Sequence, residues 1–427
     1  MDTGAYEEPV PQRGLRDRLA DAAAGQFGVV RRLLWSTFLA AVVGVLCGVV
    51  VYVFLWLLRQ VTITRLDHPW LLWLLPAAGL VIGLAYHFLG GEAAQGNNLL
   101  LDEIHEPRRW VPRRMAPLVL IGTLITQLFG GSAGREGTAL QMSGSVTDAF
   151  SRAVGLGPRM RRILLIASLA AGFGAVFGVP IAGAVFALEV QTVGTLQYEA
   201  LVPALTASIV GDQVVRHLGW HHEILPQLGS VALSPARVGQ LAVAGIACGL
   251  LSALFVETEH RVRRLAARTL AWPPLRPVLG GVAVILMTLL VGNRDYNGLS
   301  LSLEAAAFAG LQVAAFAFLI KLVFTAVTLG TGFPGGEVTP LFVMGATLGA
   351  TLNTVFGVEG PLLVAVCFVA VFAGAANAPL ACTIMAAELF GAHAIVPAAV
   401  VCVLSFIFST HRSIYTSQRG RRTPRIH

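Results

Sequence analysis

The sequence predicts an all-α, polytopic membrane protein built from two repeats of tilted and broken helices that have opposite orientations in the membrane. Three observations lead to this prediction: the composition, a series of apolar stretches, and an internal repeat with a reversed distribution of basic loops. Of the 427 residues, 56% are hydrophobic and 12% are charged, whereas roughly 25% of an average soluble domain is charged. Such a chain does not fit a soluble enzyme, a disordered scaffold or a secreted disulfide domain.

The charge and the cysteines narrow the class further. The formal net charge of +7 comes almost wholly from arginines in short segments, which is typical of topology determinants at a membrane surface and not of a nucleic-acid-binding face. We therefore expect no nucleic-acid partner. The five cysteines lie inside apolar stretches and lack the spacings that hold metals, so we expect free thiols, no metal and no other cofactor.

Apolar stretches recur along the chain between glycines and prolines. They lie at 33–58, 70–89, 116–129, 163–188, 238–256, 278–291, 305–327, 361–390 and 394–408. Many differ from the roughly 20 residues that cross a bilayer at right angles, so we expect tilted and broken helices. Irregular backbone at membrane depth has to line a cavity. The two most glycine-rich interruptions, 130–138 and 330–340, therefore predict a buried polar site.

The two interruptions are related to each other. Residues 134–138 (GREGT) match residues 335–339 (GGEVT) at an offset of about 201 residues. Residues 180–189 echo residues 379–388 at nearly the same offset. The chain therefore consists of two related halves.

The basic loops indicate how these halves are oriented. The arginine-rich loops at 108–114 and 159–162 have uncharged counterparts in the second half, while the arginines of 261–268 correspond to a first-half stretch that carries only Arg65. Because basic loops stay on the cytoplasmic side, equivalent loops of the two halves lie on opposite sides of the membrane. Such an inverted repeat is typical of transporters.

We predict five segments along the chain: a cytoplasmic amphipathic segment, the first repeat, a connecting loop, the second repeat, and a final segment with a basic cytoplasmic tail. Their bounds are 1–32, 33–216, 217–233, 234–410 and 411–427. A signal peptide is not expected at the N-terminus, because Asp2, Glu7 and Glu8 interrupt the leader and the first apolar stretch is too long.

The glycine-rich segment 130–138 has the chemistry of an anion site. Its glycines let the backbone turn and expose N–H groups, and a helix begins there, so the site gains the partial positive charge of a helix N-terminus. Glu136 would be stabilised in this position when ionised, and it could exchange with a diffusible anion once protonated. The alternative is that Glu136 only caps its own helix and pairs with Arg135.

On these motifs the chain resembles the CLC family of anion channels and proton-coupled anion antiporters. Residues 134–137 correspond to the family's gating-glutamate motif, residues 335–340 to its second helix-start motif, and residues 413–415 to the segment of its central-site tyrosine. The resemblance covers about 33–420. It implies a homodimer in the lipid bilayer, in which each subunit has its own pore and helix N-termini converge on dehydrated anions. It also implies a multi-pass protein of a bacterial inner (plasma) membrane with both termini in the cytoplasm.

The chain departs from the chloride-type pattern of this family at several positions. Asn97 stands where chloride members have a ligating serine, and the helix-start motif of the second half gains Glu337 and Thr339. The internal proton-transfer glutamate of chloride/proton antiporters is replaced by Val190. This set resembles the fluoride-exporting clade, CLC-F. It implies a secondary active transporter, not an enzyme, that exports fluoride in exchange for protons and confers fluoride resistance.

The resemblance also assigns the site residues. Glu136 is expected to be the gate and proton carrier, and Glu337 a second proton station. Because fluoride is smaller and more strongly hydrated than chloride, a pore that removes its water has to return compact hydrogen-bond donors. The residues expected to contact the anion are Asn97, Asn98, Gly134, Arg135, Gly137, Val338, Thr339 and Tyr415.

Other functions and roles remain open at this point. A chloride channel or a chloride/proton exchanger also fits the family motifs. An intramembrane hydrolase is a third class, since Ser132 lies in a glycine-rich turn, but no His/Asp pair is placed by motif to activate it. Glu337 could instead be a solvated acid at a helix start, and Asn98 could be a helix cap.

Four further residues have two interpretations each. Lys321 is the only lysine, and it either extends to the membrane interface or raises the potential of the pore. Glu189 and Glu388 occupy matching positions in the two repeats, which favours a shared structural role at helix ends. Tyr415 could be an interfacial anchor instead of a pore residue.

Overall fold

The computed structural model describes residues 15–410 and 412–420. In this part of the chain the backbone forms sixteen α-helices joined by turns and short 3₁₀ and π segments. The helices are α1 (Leu15–Asp67), α2 (Leu75–Ala85), α3 (Asn97–His105), α4 (Met115–Leu128), α5 (Glu136–Ala153), α6 (Pro158–Phe177), α7 (Pro180–Glu189), α8 (Leu201–His217), α9 (Pro235–Thr269), α10 (Leu275–Val291), α11 (Leu301–Phe308), α12 (Ala317–Gly330), α13 (Val338–Phe356), α14 (Leu362–Ala376), α15 (Pro379–Phe390) and α16 (Ile395–Phe408).

The sequence marks many of the helix ends. Pro158, Pro180 and Pro379 occupy the first helical position, where the missing N–H of proline costs no intrahelical hydrogen bond. Gly178 ends α6 in the left-handed conformation, with φ of 75°, which favours glycine. These prolines and glycines divide the apolar stretches into short helices. The ten residues of α7 rise only about 15 Å, half the thickness of the hydrocarbon core.

The two halves of the chain repeat the same series of helices. From α3 to α8 and from α11 to α16 the order is the same, and equivalent helices have similar lengths, as in α5 with 18 residues and α13 with 19. The equivalent helices α6 and α14 are almost wholly buried and lie in the centre of the fold. The prediction of an all-α protein with two inverted repeats of broken helices is confirmed.

A pair of reciprocal hydrogen bonds joins the halves at the centre. The Gly134 N–H donates to the Gly336 carbonyl at 2.6 Å, and the Gly336 N–H donates to the Gly134 carbonyl at 3.0 Å. The two motifs run antiparallel at this bridge. Reciprocal contacts of this kind form where two segments are related by a two-fold axis. The axis between the repeats therefore passes close to the two glycine-rich segments.

A second reciprocal contact joins α7 to α15 through Glu189 and Glu388. The Glu189 carboxylate accepts hydrogen bonds from the N–H groups of Leu380 and Ala381 at 3.1 and 2.8 Å, at the start of α15. The Glu388 carboxylate accepts bonds from the second and third residues of α7, at 2.9 and 2.7 Å. Each glutamate near the end of one helix thus caps the first turn of the other, which is the shared structural role that their matching positions favour.

Neutralising either cap should destabilise the protein without changing what it transports. We expect Glu189→Gln and Glu388→Gln each to lower the free energy of unfolding by about 1–3 kcal/mol, because an amide supplies one acceptor atom where the carboxylate supplies two charged ones. Unfolding of the purified protein in detergent measures the loss. Glu359→Gln, in an exposed turn, is the matched control, and equal stability of all three variants would contradict the capping role.

The outer surface of the fold is apolar. Among the described residues, five helical segments are long and apolar enough to cross a membrane by length and composition. In α10, Leu279, Leu286 and Leu289 are more than half exposed, and Leu290 is 86% exposed. A soluble protein would have to hide such a face, whereas hydrocarbon chains cover it without cost.

The predicted segment boundaries stay predictions. Helix α1 runs without a break across residue 32. The side chains of residues 15–27 and 29, and all of residues 1–14, 411 and 421–427, lie outside the described residues. The five cysteines are buried and unbridged, as their apolar surroundings indicate.

Candidate functional site

The N-termini of α5 and α13 meet at the centre of the fold. Helix α5 begins at Glu136 and α13 at Val338, directly after the bridge between Gly134 and Gly336. Glycine is required at 336, since a Cβ there would lie 1.9 Å from Glu136 Oε1. Two helix N-termini therefore contribute backbone N–H groups and partial positive charge to one small volume.

The Glu136 carboxylate fills this volume. Its oxygens accept hydrogen bonds from the Val338 N–H at 2.5 Å, the Thr339 N–H at 3.2 Å and the Thr339 hydroxyl at 2.9 Å. The Arg135 N–H adds a fourth bond at 2.9 Å, and the Glu136 side chain is fully buried. Four donors around one carboxylate make this position an anion site.

Glu136 does more than cap its own helix in this structure. The carboxylate lies at the N-terminus of α13, in the other half of the chain. Arg135 contributes its backbone N–H, while its guanidinium lies over the ring of Phe177, 5.8 Å from the ring centroid. Gly137 packs closely against Gly336. A Cβ atom at position 137 would lie 3.1 Å from the Gly336 Cα.

Two cavities border the start of α13. The first, of about 320 Å³, is here called the Glu337 cavity, and its polar lining residues include Asn97, Asn98, Gln141, Arg263, Arg276, Glu337 and Tyr415. The second, of about 440 Å³, is called the Arg135 cavity, and its polar lining residues include Arg59, Arg135, His221, His222, Glu223, Glu304 and Thr339. Glu337 thus borders one cavity and Thr339 the other, and Thr339 also binds the Glu136 carboxylate. Sequence reasoning did not identify Gln141 or Glu304, because neither belongs to a motif.

The structure separates the roles of Asn97 and Asn98. The Asn97 amide nitrogen lies 3.3 Å from the position of a Cβ at Gly137, next to the start of α5. Its Oδ1 atom is buried and has no hydrogen-bond partner among the described residues. The Asn98 Oδ1 atom instead accepts a hydrogen bond from the Ser417 N–H at 3.0 Å, so Asn98 fastens the C-terminal segment while it lines the Glu337 cavity.

Tyr415 is buried at the Glu337 cavity and does not lie on the outer surface of the fold. It is 4% exposed and lines the Glu337 cavity, and its ring lies 6.3 Å from that of Phe186. The segment that carries it is tied to the second half by a hydrogen bond from the Ile414 N–H to the Ala375 carbonyl, at 3.0 Å.

Lys321 does not extend to the membrane interface. Its side chain is fully buried, and Nζ lies 2.7–3.3 Å from the oxygens of Ser132, Tyr296, Gly298 and Ser300. The lysine therefore binds the 296–300 loop to the glycine-rich segment before Glu136. Ser132, the residue on which the hydrolase alternative depends, is fully buried in this contact.

Comparison with known proteins identifies the family. The family model described as voltage gated chloride channel matches residues 78–410, which is more than half of the chain. The chain belongs to the CLC family. The recognition made on the sequence motifs is confirmed.

Individual CLC proteins are similar to this chain over most of its length. A "Chloride/fluoride channel protein" of Pseudomonas syringae pv. tomato is 44% identical over 394 residues, which are 89% of this chain and 85% of that protein. The crystal structure of a CLC-type fluoride/proton antiporter matches with a TM-score of 0.88 and 33% identity, covering 91% of this chain and 98% of the other. A slow cyanobacterial Cl-/H+ antiporter matches with a TM-score of 0.76 and 17% identity, over 88% and 94% of the two chains. The last likeness concerns the fold alone.

Val190 lies in the apolar core of the fold. Val190 follows α7 and is 2% exposed, surrounded by apolar side chains of the main core. A proton cannot be held there by a side chain. Glu337, in contrast, borders the cavity that also contains Asn97 and Tyr415 in its lining.

Proposed function

We propose that this CLC protein is a secondary active transporter that exports fluoride in exchange for protons and so confers fluoride resistance. The observation that carries the proposal is the Glu136 carboxylate bound at the start of α13 by two N–H groups and the Thr339 hydroxyl. These donors would bind a small anion equally well. Protonation weakens the hydrogen bonds that keep the Glu136 side chain in this position, because the neutral acid lacks the negative charge that the N–H groups stabilise. Anion entry and protonation of Glu136 are thereby linked.

The donors around this position suit fluoride. A compact anion with tightly held water needs short, strong hydrogen bonds in exchange, and Thr339 supplies both an N–H and a hydroxyl at one residue. The Asn97 amide and the buried Tyr415 border the neighbouring cavity. The similarity to a fluoride/proton antiporter at 33% identity and to a chloride/fluoride channel protein at 44% identity supports the same substrate.

The proton route in the proposal passes through Glu337. Val190, directly after α7, cannot hold a proton, so the path has to follow another side chain that can. Glu337 borders a cavity and lies one residue before the N–H group that binds Glu136. A proton released by Glu136 can thus reach water through Glu337.

The assembly and the membrane orientation complete the proposal. We infer a homodimer, with a complete pore in each subunit, in a bacterial inner membrane. Positive residues gather in the segments 108–114, 159–162 and 261–268, and on this basis we infer that these segments and both termini face the cytoplasm. The Glu337 cavity, lined by Arg263 and Arg276, then opens inward.

Flux measurements on the purified protein test the function. Proteoliposomes are loaded with fluoride or with chloride, and the external anion and pH are recorded together. Fluoride release with stoichiometric proton movement is the expected result. Chloride movement at the same rate would favour the chloride channel or exchanger, the first without and the second with proton movement.

Selectivity should depend on Asn97. We expect Asn97→Ser to reduce the preference for fluoride over chloride by about tenfold, because a lone hydroxyl resembles the chloride-type site and one hydrogen bond to an anion is worth about 1.5–3 kcal/mol. Asn98→Ser is the matched control, since Asn98 is engaged with Ser417 and should affect stability more than selectivity. If the ratio changes only in Thr339→Ala, discrimination lies at the start of α13 and Asn97 is structural.

A further inference from the structure

A third cavity lies beside the glycine-rich segment that precedes Glu136. It has a volume of about 260 Å³ and is here called the Arg65 cavity. Gly130 lines it, and the Gly130 carbonyl accepts a hydrogen bond from the Asn297 amide at 2.9 Å. One wall of the cavity is therefore attached to the segment that leads to Glu136. The polar lining residues are Thr62, Arg65, Arg294, Asp295, Asn297, Ser300 and Ser302.

Two side chains of α1 bring unused hydrogen-bond donors to this cavity. The Thr62 Oγ1 and Arg65 Nε atoms are buried, and neither has a hydrogen-bond partner among the described residues. None of the ion pairs formed by the described residues includes Arg65. By contrast, the hydroxyl of Thr64 on the same helix donates to the Gln60 carbonyl at 2.9 Å. Buried donors without an acceptor are expensive, above all when they are charged, so this cavity is suited to a ligand that accepts hydrogen bonds.

The charges around the cavity favour an anion as that ligand. Arg65 and Lys321 both lie against Gly298. A Cβ at this position would be 2.7 Å from Arg65 Nη2, and the Gly298 carbonyl accepts a hydrogen bond from Lys321 Nζ at 2.9 Å. Arg294 adds an exposed basic side chain to the lining, and Asp295, also exposed, is its acidic residue. Because neighbouring positive charges repel each other, an anion in the cavity offsets their repulsion.

A helix start and a shared wall complete the surroundings. Helix α11 begins at Leu301, and residues 300–302 line the Arg65 cavity. The first N–H groups of a helix lack intrahelical partners and carry partial positive charge. Thr62 and Leu299 border both this cavity and the Arg135 cavity, which also borders Thr339. The Arg65 cavity is therefore next to the cavity that reaches the central site.

We propose that Thr62 and Arg65 form a halide-binding site at the outer face of the protein, between the Arg135 cavity and the external solution. The Thr62 hydroxyl and the Arg65 Nε group donate hydrogen bonds to the anion, and the guanidinium supplies the opposite charge. The outer position follows from the inferred orientation, in which α1 starts on the cytoplasmic side and crosses the membrane once. That the natural ligand is fluoride rests on the proposed function. Exported fluoride then occupies this site on its way from the central site to the external solution.

Bromide locates the site directly, because its anomalous X-ray scattering identifies the ion in crystals of the whole protein. Crystals of the wild type and of Arg65→Gln are soaked in sodium bromide. The expected result is a peak in contact with Arg65 Nε and Thr62 Oγ1 that disappears in the variant. A wild-type structure without a peak at this position, or with a lipid headgroup against Arg65, would overturn the proposal.

Transport from each face of the membrane tests whether the site is used. Fluoride enters right-side-out membrane vesicles from the outer face and inside-out vesicles from the cytoplasmic face. Arg65→Gln should raise the KM for fluoride about tenfold at the outer face, because a charged hydrogen bond to the anion is lost. The KM at the cytoplasmic face should change far less. A merely structural role of Arg65 would change the KM at both faces alike.

Thr62→Val and Thr64→Val form a matched pair on the same helix. Thr62→Val removes the unused hydroxyl and should raise the outer KM about threefold, whereas Thr64→Val removes a hydroxyl engaged with Gln60 and should leave it unchanged. If Arg65→Gln does not fold, this pair decides, and an equal outer KM in both threonine variants contradicts the site.

Two further outcomes separate this proposal from the proposed function. A bromide peak that persists in Arg65→Gln, or equal KM changes at the two faces, would identify an adventitious ion only and overturn the site. A wild-type protein that moves chloride but no fluoride contradicts the proposed function instead. The bromide peak does not depend on transport, so in that case it still supports a halide site at Thr62 and Arg65.

Discussion

Replacing Glu136 with glutamine should abolish proton coupling. The amide cannot take up and release a proton, and proton movement linked to fluoride should fall at least ~100-fold. Fluoride movement itself either survives, if the neutral side chain leaves its binding position, or stalls, if the amide stays at Val338 and Thr339. Simultaneous recording of fluoride and pH outside loaded proteoliposomes separates these outcomes from the coupled exchange of the wild type.

The control for this variant is the same substitution at a site without a role. Glu359→Gln, in an exposed turn, should exchange fluoride for protons at the wild-type rate. Proton-coupled flux that persists unchanged in Glu136→Gln would reduce Glu136 to a helix cap for α13 and remove the central step of the mechanism.

Glu337→Gln should leave a protein that folds, dimerises and inserts but cannot accumulate fluoride against its gradient when a proton gradient is imposed. Glutamine keeps the volume of the side chain beside the cavity, while a proton crossing a region of low dielectric needs a group that can hold it. We expect the initial rate of proton-driven accumulation to drop ~100-fold.

Size-exclusion elution and unfolding in detergent check that this variant keeps its fold. Glu304→Gln, which removes a carboxylate from the Arg135 cavity, shows whether any buried glutamate has the same effect. Proton-driven accumulation at the wild-type rate in Glu337→Gln would assign the proton path to water next to Glu136 and leave Glu337 without a transport role.

Local sequence signals were sufficient for the helices and the repeat. The glycine-rich turn before Glu136 and its equivalent before Val338 predict two helix starts. The basic segments, which occupy different positions in the two halves, predict the opposite orientation of the halves. The partner of the Glu136 carboxylate did not follow from these signals, because the hydrogen bond to the Val338 N–H joins residues 202 positions apart. Only the two-fold arrangement of the halves brings them together.

For several side chains that the sequence left with two interpretations, the packing of the fold decides between them. The apolar sequence neighbours of Lys321 are compatible with a side chain that extends to the membrane interface. In the structure, however, four oxygens from distant segments surround Nζ. The reciprocal capping by Glu189 and Glu388 was visible only as matching positions in the repeats.

The bridge between Gly134 and Gly336 has a consequence for how the protein is made. Glu136 leaves the ribosome well before the residues that bind it, which follow 202 positions later. At roughly 5–20 residues per second this interval lasts ~10–40 s. During that time the first half has to enter the membrane with its central carboxylate unbound, so Glu136 waits either protonated or in contact with water. The first repeat is therefore an incomplete folding unit, and the chain reaches its final structure only after the start of α13 has been synthesised and docked.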